Sequence, residues 1–200
     1  MRYLSHHELV TSFYRALRRA TIPLAYSAGF HPHPKLSFGP ALAVGIESTS
    51  EYVDMEMPVL ADPLDIMKRL NNTLPDGLSV LSSSLVALKE KSLNEFVKHY
   101  SYEATIDDSD YFIDTFMDQK ECIVQRNNKT VNIRPMVREA RKEGTSLILL
   151  LTDVEDVKPR LHEILKEMLG KSAENIEAVP MKRTGLYGNN GVELVEPINK

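Results

Sequence analysis

Residues 51–57 read Glu51-Tyr52-Val53-Asp54-Met55-Glu56-Met57. Val53, Met55 and Met57 fall on one side of an extended chain, and Tyr52, Asp54 and Glu56 on the other. This period of two predicts a half-buried strand. Working outward, Asp62-Pro63 supplies a side-chain acceptor and a preset φ, which together predict a helix start. Leu64, Met67, Leu70 and Leu74 are the expected apolar stripe of that helix, and Pro75-Asp76-Gly77 its stop. Residues 78–86 then read as a further strand. Upstream, Ser5-His6-His7-Glu8 has the form of a capping box, in which hydroxyl and carboxylate satisfy the free amides of a helix start. After it, Leu9, Phe13, Ala16, Leu17 and Ala20 recur on one helical face, with Arg15, Arg18 and Arg19 nearly opposite. Pro23 is the expected end of this helix. A loop over residues 26–40, punctuated by proline and glycine, leads towards a strand near 41–46. With a short strand at 2–4, the order is β-α-β-β-α-β, the ferredoxin-like plan.

The second half has a similar rhythm. Expected elements are a strand at 100–106, a helix at 109–118 carrying Phe112, Ile113 and Phe116, and a hairpin joining 122–125 to 131–133 across a polar turn. The continuous apolar run 147–151 suits a central strand. A helix at 159–169 is closed by Gly170, and 176–181 is the last strand. The expected fold class is α+β, with two tandem ferredoxin-like lobes. Residues 1–90 form the first lobe, bearing the histidine–proline loop, and residues 96–200 the second. The polar stretch Lys89-Glu90-Lys91-Ser92-Leu93-Asn94-Glu95 lies at their junction.

Composition narrows the function. Two hundred residues, 42% of them hydrophobic, suffice for a core without metal or disulfide staples. The formal net charge of −4 excludes a chain that binds nucleic acid through overall positive charge. Charge is unevenly spread. Residues 1–50 hold Arg2, Arg15, Arg18, Arg19 and Lys35 against Glu8 and Glu47, with four histidines: His6, His7, His31 and His33. A basic, histidine-rich segment in an acidic chain points to an anionic ligand. The single cysteine, Cys122, can form neither an intrachain disulfide nor a cluster site of several thiolates. No cofactor is expected in this chain. No long apolar run is present, so no membrane partner is expected, and the cytoplasm is the expected location.

The chemistry concentrates in Ala25-Tyr26-Ser27-Ala28-Gly29-Phe30-His31-Pro32-His33-Pro34-Lys35-Leu36-Ser37-Phe38-Gly39-Pro40. The prolines fix φ and remove two donors, so the segment is expected to be stiff. Such a loop can present His31 and His33 to a ligand at small entropic cost, with Lys35 as a phosphate or oxyanion contact. His6, at the first helix's amino end, is expected to point towards the sheet. His6 and His31 are the candidate acid–base residues. Arg2, His6, Tyr26, Phe30, His31, His33 and Lys35 are the candidate ligand contacts, Tyr26 and Phe30 as stacking rings. The plainer alternatives are that the imidazoles cap backbone groups, the aromatic pair packs the loop down, and the arginine stripe is simply solvated. No metal set of diagnostic spacing is present.

These stretches resemble a radical-SAM-linked family. The likeness rests on Ser5-His6, the histidine–proline loop, Gly45-Ile46-Glu47-Ser48, Glu51-Tyr52-Val53-Asp54 and, more distantly, Ile133-Arg134-Pro135. It is strong over residues 3–57 and weak beyond about residue 90. Relatives commonly carry an aspartate after Ser-His, whose role falls here on Glu8, and an extra strand ahead of the motif. The resemblance implies a radical SAM protein as partner, which would hold the iron–sulfur cluster and S-adenosylmethionine. Two-lobed ferredoxin-like proteins that process CRISPR RNA have a similar architecture, but fold alone does not carry function. Three functions remain open: an accessory module that acts with a radical SAM enzyme and recognises RNA or a ribonucleoprotein such as the ribosome, a metal-independent RNA-processing enzyme using histidine acid–base chemistry, and a protein–protein adaptor.

Overall fold

The computed structural model describes residues 2–87, 90–107, 112–189 and 194–199. The chain is a mixed α+β protein in two units. One comprises Met1–Gly45, Glu51–Val97 and Gly188–Lys200; the other comprises Ile46–Ser50 and Lys98–Tyr187. No helix among the described residues is long and apolar enough to cross a membrane.

In the first unit, helix α1 (His6–Arg19) opens with the expected capping box. The Glu8 amide donates to the Ser5 hydroxyl at 3.3 Å, and the Ser5 amide to the Glu8 carboxylate at 2.8 Å. The helix ends before Pro23. Ala20 caps it and Thr21 turns left-handed at φ 53°. Arg69 then takes the carbonyls of Ala20 and Thr21, acceptors that the helix end leaves without partners. Strand β1 (Leu36–Phe38) lies antiparallel to β3 (Val53–Met55), pairing Leu36 with Met55 and Phe38 with Val53. Between them in sequence comes β2 (Glu47–Ser48), which belongs to the other unit.

Helix α2 (Pro63–Asn71) starts as the sequence predicts, with Asp62 accepting from the Leu64 amide at 3.0 Å. Its buried residues are Ile66 and Leu70, and Leu64 is exposed. The stripe is therefore rotated from the expected one. Ala16, Leu17, Ala20, Ile22, Ile66 and Leu70 make the core, with Phe13, Leu36, Met55 and Met57 packed against it. Residues 2–4, 41–46 and 78–86 are not strands. In the last of these, Val80 exchanges both main-chain bonds with the Asn71 side chain, which occupies the place of a neighbouring strand. Helix α3 (Leu93–Phe96) donates from Asn94 to the Phe38 carbonyl.

The second unit is built on one sheet. Strand β4 (His99–Thr105) is followed by α4 (Phe112–Asp118) and by the hairpin β5 (Ile123–Arg126)–β6 (Lys129–Asn132). The expected first residues of α4 lie outside the described residues. The hairpin turns on Asn127 and Asn128, both at positive φ, as a two-residue turn requires. Strands β7 (Val137–Glu143) and β8 (Ser146–Thr152) come next, then α5 (Leu161–Leu169), closed by left-handed Gly170. The segment expected to be the last strand begins instead as α6 (Ala173–Glu177), capped by Ser172, and the strand β9 (Met181–Asn189) follows. The order is β9-β4-β8-β7 with every neighbour antiparallel, and β2 lies parallel to β9. Leu147, Leu149 and Leu151 of β8 are fully buried. In the first unit, the last two residues of β9 pair with β10 (Leu194–Val195).

Candidate functional site

The histidine–proline segment is a hairpin closed by its main chain. Ala25, Lys35 and Glu56 form a ring of three bonds: the Ala25 amide donates to Glu56 at 2.8 Å, the Lys35 amide to Ala25 at 2.8 Å, and the Glu56 amide to Lys35 at 3.1 Å. Farther out, the Ser27 amide donates to the His33 carbonyl at 2.8 Å, and the His33 amide to the Ser27 hydroxyl at 3.0 Å. Tyr26 lies opposite Pro34 as a bridge between the two arms. These bonds and the prolines together tie the two arms of the segment to each other. The tip, residues 26–34, turns through Gly29 at φ +130°, a backbone that L side chains rarely adopt.

Side chains at this tip face solvent. Phe30 is 102% exposed and Tyr26 52%. The rings of His31 and His33 are exposed and make no hydrogen bond among the described residues. Lys35 is placed differently: its Nζ lies 2.8 Å from Glu56 Oε1, so its charge is answered within the fold. Sequence reasoning missed Glu56 and Ser27. Alternation at 51–57 put Glu56 on the solvent side, the side Lys35 occupies, and that was the available signal.

His6 makes its ring contact at Phe38, the last residue of β1. Its ring meets Phe38 edge-on at 5.9 Å, and Phe13 meets the Phe38 ring at 5.8 Å. Strand β1 therefore has Lys35 just ahead of its first residue and the His6 contact at its last. Neither a hydrogen bond nor a ring contact links His6 to His31, His33 or Lys35 among the described residues. Arg2 lies over the Tyr3 ring at 5.0 Å and donates to its hydroxyl, and its carbonyl accepts from Gly45. Glu8 serves the capping box: the Ser5 hydroxyl, then the Ser5 amide, hold its carboxyl below the ordinary carboxylate range. Among the described residues, no three His, Cys, Asp or Glu side chains are arranged to hold a metal.

Arg134 of the Ile133-Arg134-Pro135 triplet sits in the second unit. Its guanidinium donates to the Met117 carbonyl at the end of α4 and to the Val137 carbonyl, and lies 5.8 Å from the Phe116 ring. Of the seven candidate contacts, Tyr26, Phe30, His31 and His33 share the hairpin tip, and Lys35 closes its base. His6 and Arg2 lie elsewhere on the same unit. Chemically, the tip offers an exposed aromatic ring with two imidazoles on a preformed frame. It suits stacking and hydrogen bonding to a flat, partly polar ligand.

A family model described as an uncharacterized protein conserved in bacteria (DUF2344) matches residues 1–175. None of the curated proteins matches the chain.

Proposed function

This chain belongs to that bacterial family, and we propose that it is a non-catalytic module that recognises single-stranded segments of RNA or of a ribonucleoprotein. The carrying observation is Phe30, wholly exposed at the tip of a hairpin whose base and mid-section are tied by main-chain bonds. An aromatic ring held out on a stiff frame loses little entropy on binding. Single-stranded nucleic acid is held largely by bases stacking on such rings, and imidazoles add hydrogen bonds to base edges. Because Lys35 is paired with Glu56, stacking contributes more of the affinity than the loop's own charge.

The module works in the cytoplasm beside a radical SAM enzyme, which supplies the iron–sulfur cluster and S-adenosylmethionine. The support for this pairing is the motif likeness over residues 3–57, together with a single cysteine, too few to hold such a cluster here. The proposed ferredoxin-like plan is supported in the second unit by the order β9-β4-β8-β7, with α4 following β4 and α5 following β8.

The test is fluorescence anisotropy with a labelled RNA strand of about 12 nucleotides, a length within the range one such module covers. Phe30→Ala is expected to weaken binding by roughly 5- to 150-fold, the loss of about one stacked base. Phe30 touches nothing in the fold that its removal would unsettle. Equal affinity of Phe30→Ala and the unaltered chain, or no binding at about 100 µM protein, would overturn the proposal.

A further inference from the structure

We infer that Arg15 and Arg18 are the phosphate contacts for the RNA strand held at the hairpin, an inference that rests on the reading above. A strand that stacks on Phe30 carries negative charge, and the protein's net charge of −4 gives no diffuse attraction. Cations must therefore meet it locally, yet most cations of this unit are already engaged. Lys35 pairs with Glu56, Arg69 with Asp65 and two carbonyls, Arg19 donates to the Thr73 carbonyl, and Arg2 lies on Tyr3. Arg15 and Arg18 are exposed and have no ion pair or hydrogen bond among the described residues. Lys68 is similarly unengaged, but it stands singly on α2.

The two arginines are one helical turn apart, on the side of α1 away from buried Ala16, Leu17 and Ala20. With Arg19 they place three like charges within a turn, which is locally unfavourable for a helix. The helix dipole accounts for Arg18 and Arg19, which lie in the last turn, but not for Arg15. A ligand of opposite sign does account for Arg15 and Arg18, while Arg19 donates to the Thr73 carbonyl. Arg18 and Ala25 at the hairpin base are seven positions apart in the chain. That is at most about 25 Å of chain, well within the reach of a strand of about 4 to 16 nucleotides.

The experiment is the salt dependence of the same labelled RNA strand. Each single-strand phosphate neutralised contributes about 0.7 to the slope of log affinity against log salt. The double variant Arg15→Ala/Arg18→Ala is expected to lower that slope by about 1.4 and to bind like the unaltered chain at high salt. Alanine is a strong helix former, so α1 should persist, which circular dichroism checks. Phe30→Ala is expected to weaken binding at every salt concentration with the slope unchanged. If the double variant keeps the full slope, the arginine assignment is overturned while the RNA reading stands. If the unaltered chain binds no strand, both fall together.

Discussion

Lys35 and Glu56 meet twice, through an ion pair of 2.8 Å and through a main-chain bond from the Glu56 amide to the Lys35 carbonyl at 3.1 Å. The double contact makes Lys35 a strut at the hairpin base. Both side chains are more than a third exposed, so solvent screens the pair. It should contribute about 0.2–1 kcal/mol. The expected outcome for Lys35→Ala is therefore a small loss of stability, and a salt slope for RNA close to that of the unaltered chain. Urea unfolding of Lys35→Ala, Glu56→Ala and the double variant would measure the coupling. A slope that drops by a full phosphate would make Lys35 a ligand contact after all, whereas a coupling well above this range would make the pair a stronger strut than its exposure implies.

Arg134 invites a functional reading because it sits in a motif-like triplet, but its geometry is that of a cap. Nε and Nη2 reach the Met117 carbonyl at 3.2 and 2.6 Å, and Nη1 reaches the Val137 carbonyl at 2.9 Å. Lysine offers one compact charge and cannot reproduce this fork. Arg134→Lys is expected to cost about 1–3 kcal/mol in urea unfolding, with RNA affinity per folded molecule unchanged. Unaltered stability combined with weaker RNA binding would reverse the assignment.

Much of the fold was legible where a local rule decides the backbone. The Ser5/Glu8 box, Asp62-Pro63, the apolar run of β8 and Gly170 all act within a few residues of themselves. The rest depends on distant partners. Strand β7 reads as a charged, solvated segment because, as an edge strand, it buries only Val137. At 173–177 the Ser172 cap makes a helix of a stretch whose later residues look strand-like. Strand β9 then begins only at Met181 and hides Arg183 at 1% exposure inside a pattern that looks polar. The missing strands at 41–46 and 78–86 have the composition of strands but no ladder partner. At the site, exposure of the tip followed from its glycine and prolines. The pairing of Lys35 did not, because Glu56 arrives from 21 positions away.

Asp153 and His99 should bend the pH profile of stability in opposite directions. The Asp153 side chain is 5% exposed, with Lys98 Nζ at 3.8 Å. Burial raises its pKa above the ordinary 3.8, against the Tyr100 hydroxyl and Lys98, which lower it. Between these two values the native state binds more protons than the unfolded chain, so stability falls as pH rises through that window. For His99, burial first and Arg138 second lower the pKa below the ordinary 6.5. There the unfolded chain binds more protons, and stability falls as pH drops below 6.5. Each slope is at most about 1.4 kcal/mol per pH unit for one proton. The windows can overlap and offset each other, so the unaltered chain alone would conceal both. Asp153→Asn should remove the first slope and leave the acid-side loss steeper. His99→Gln should remove the second and leave stability declining with rising pH. Urea midpoints across about pH 4 to 8 separate the cases. Parallel profiles for the two variants and the unaltered chain would mean that neither group titrates differently on folding.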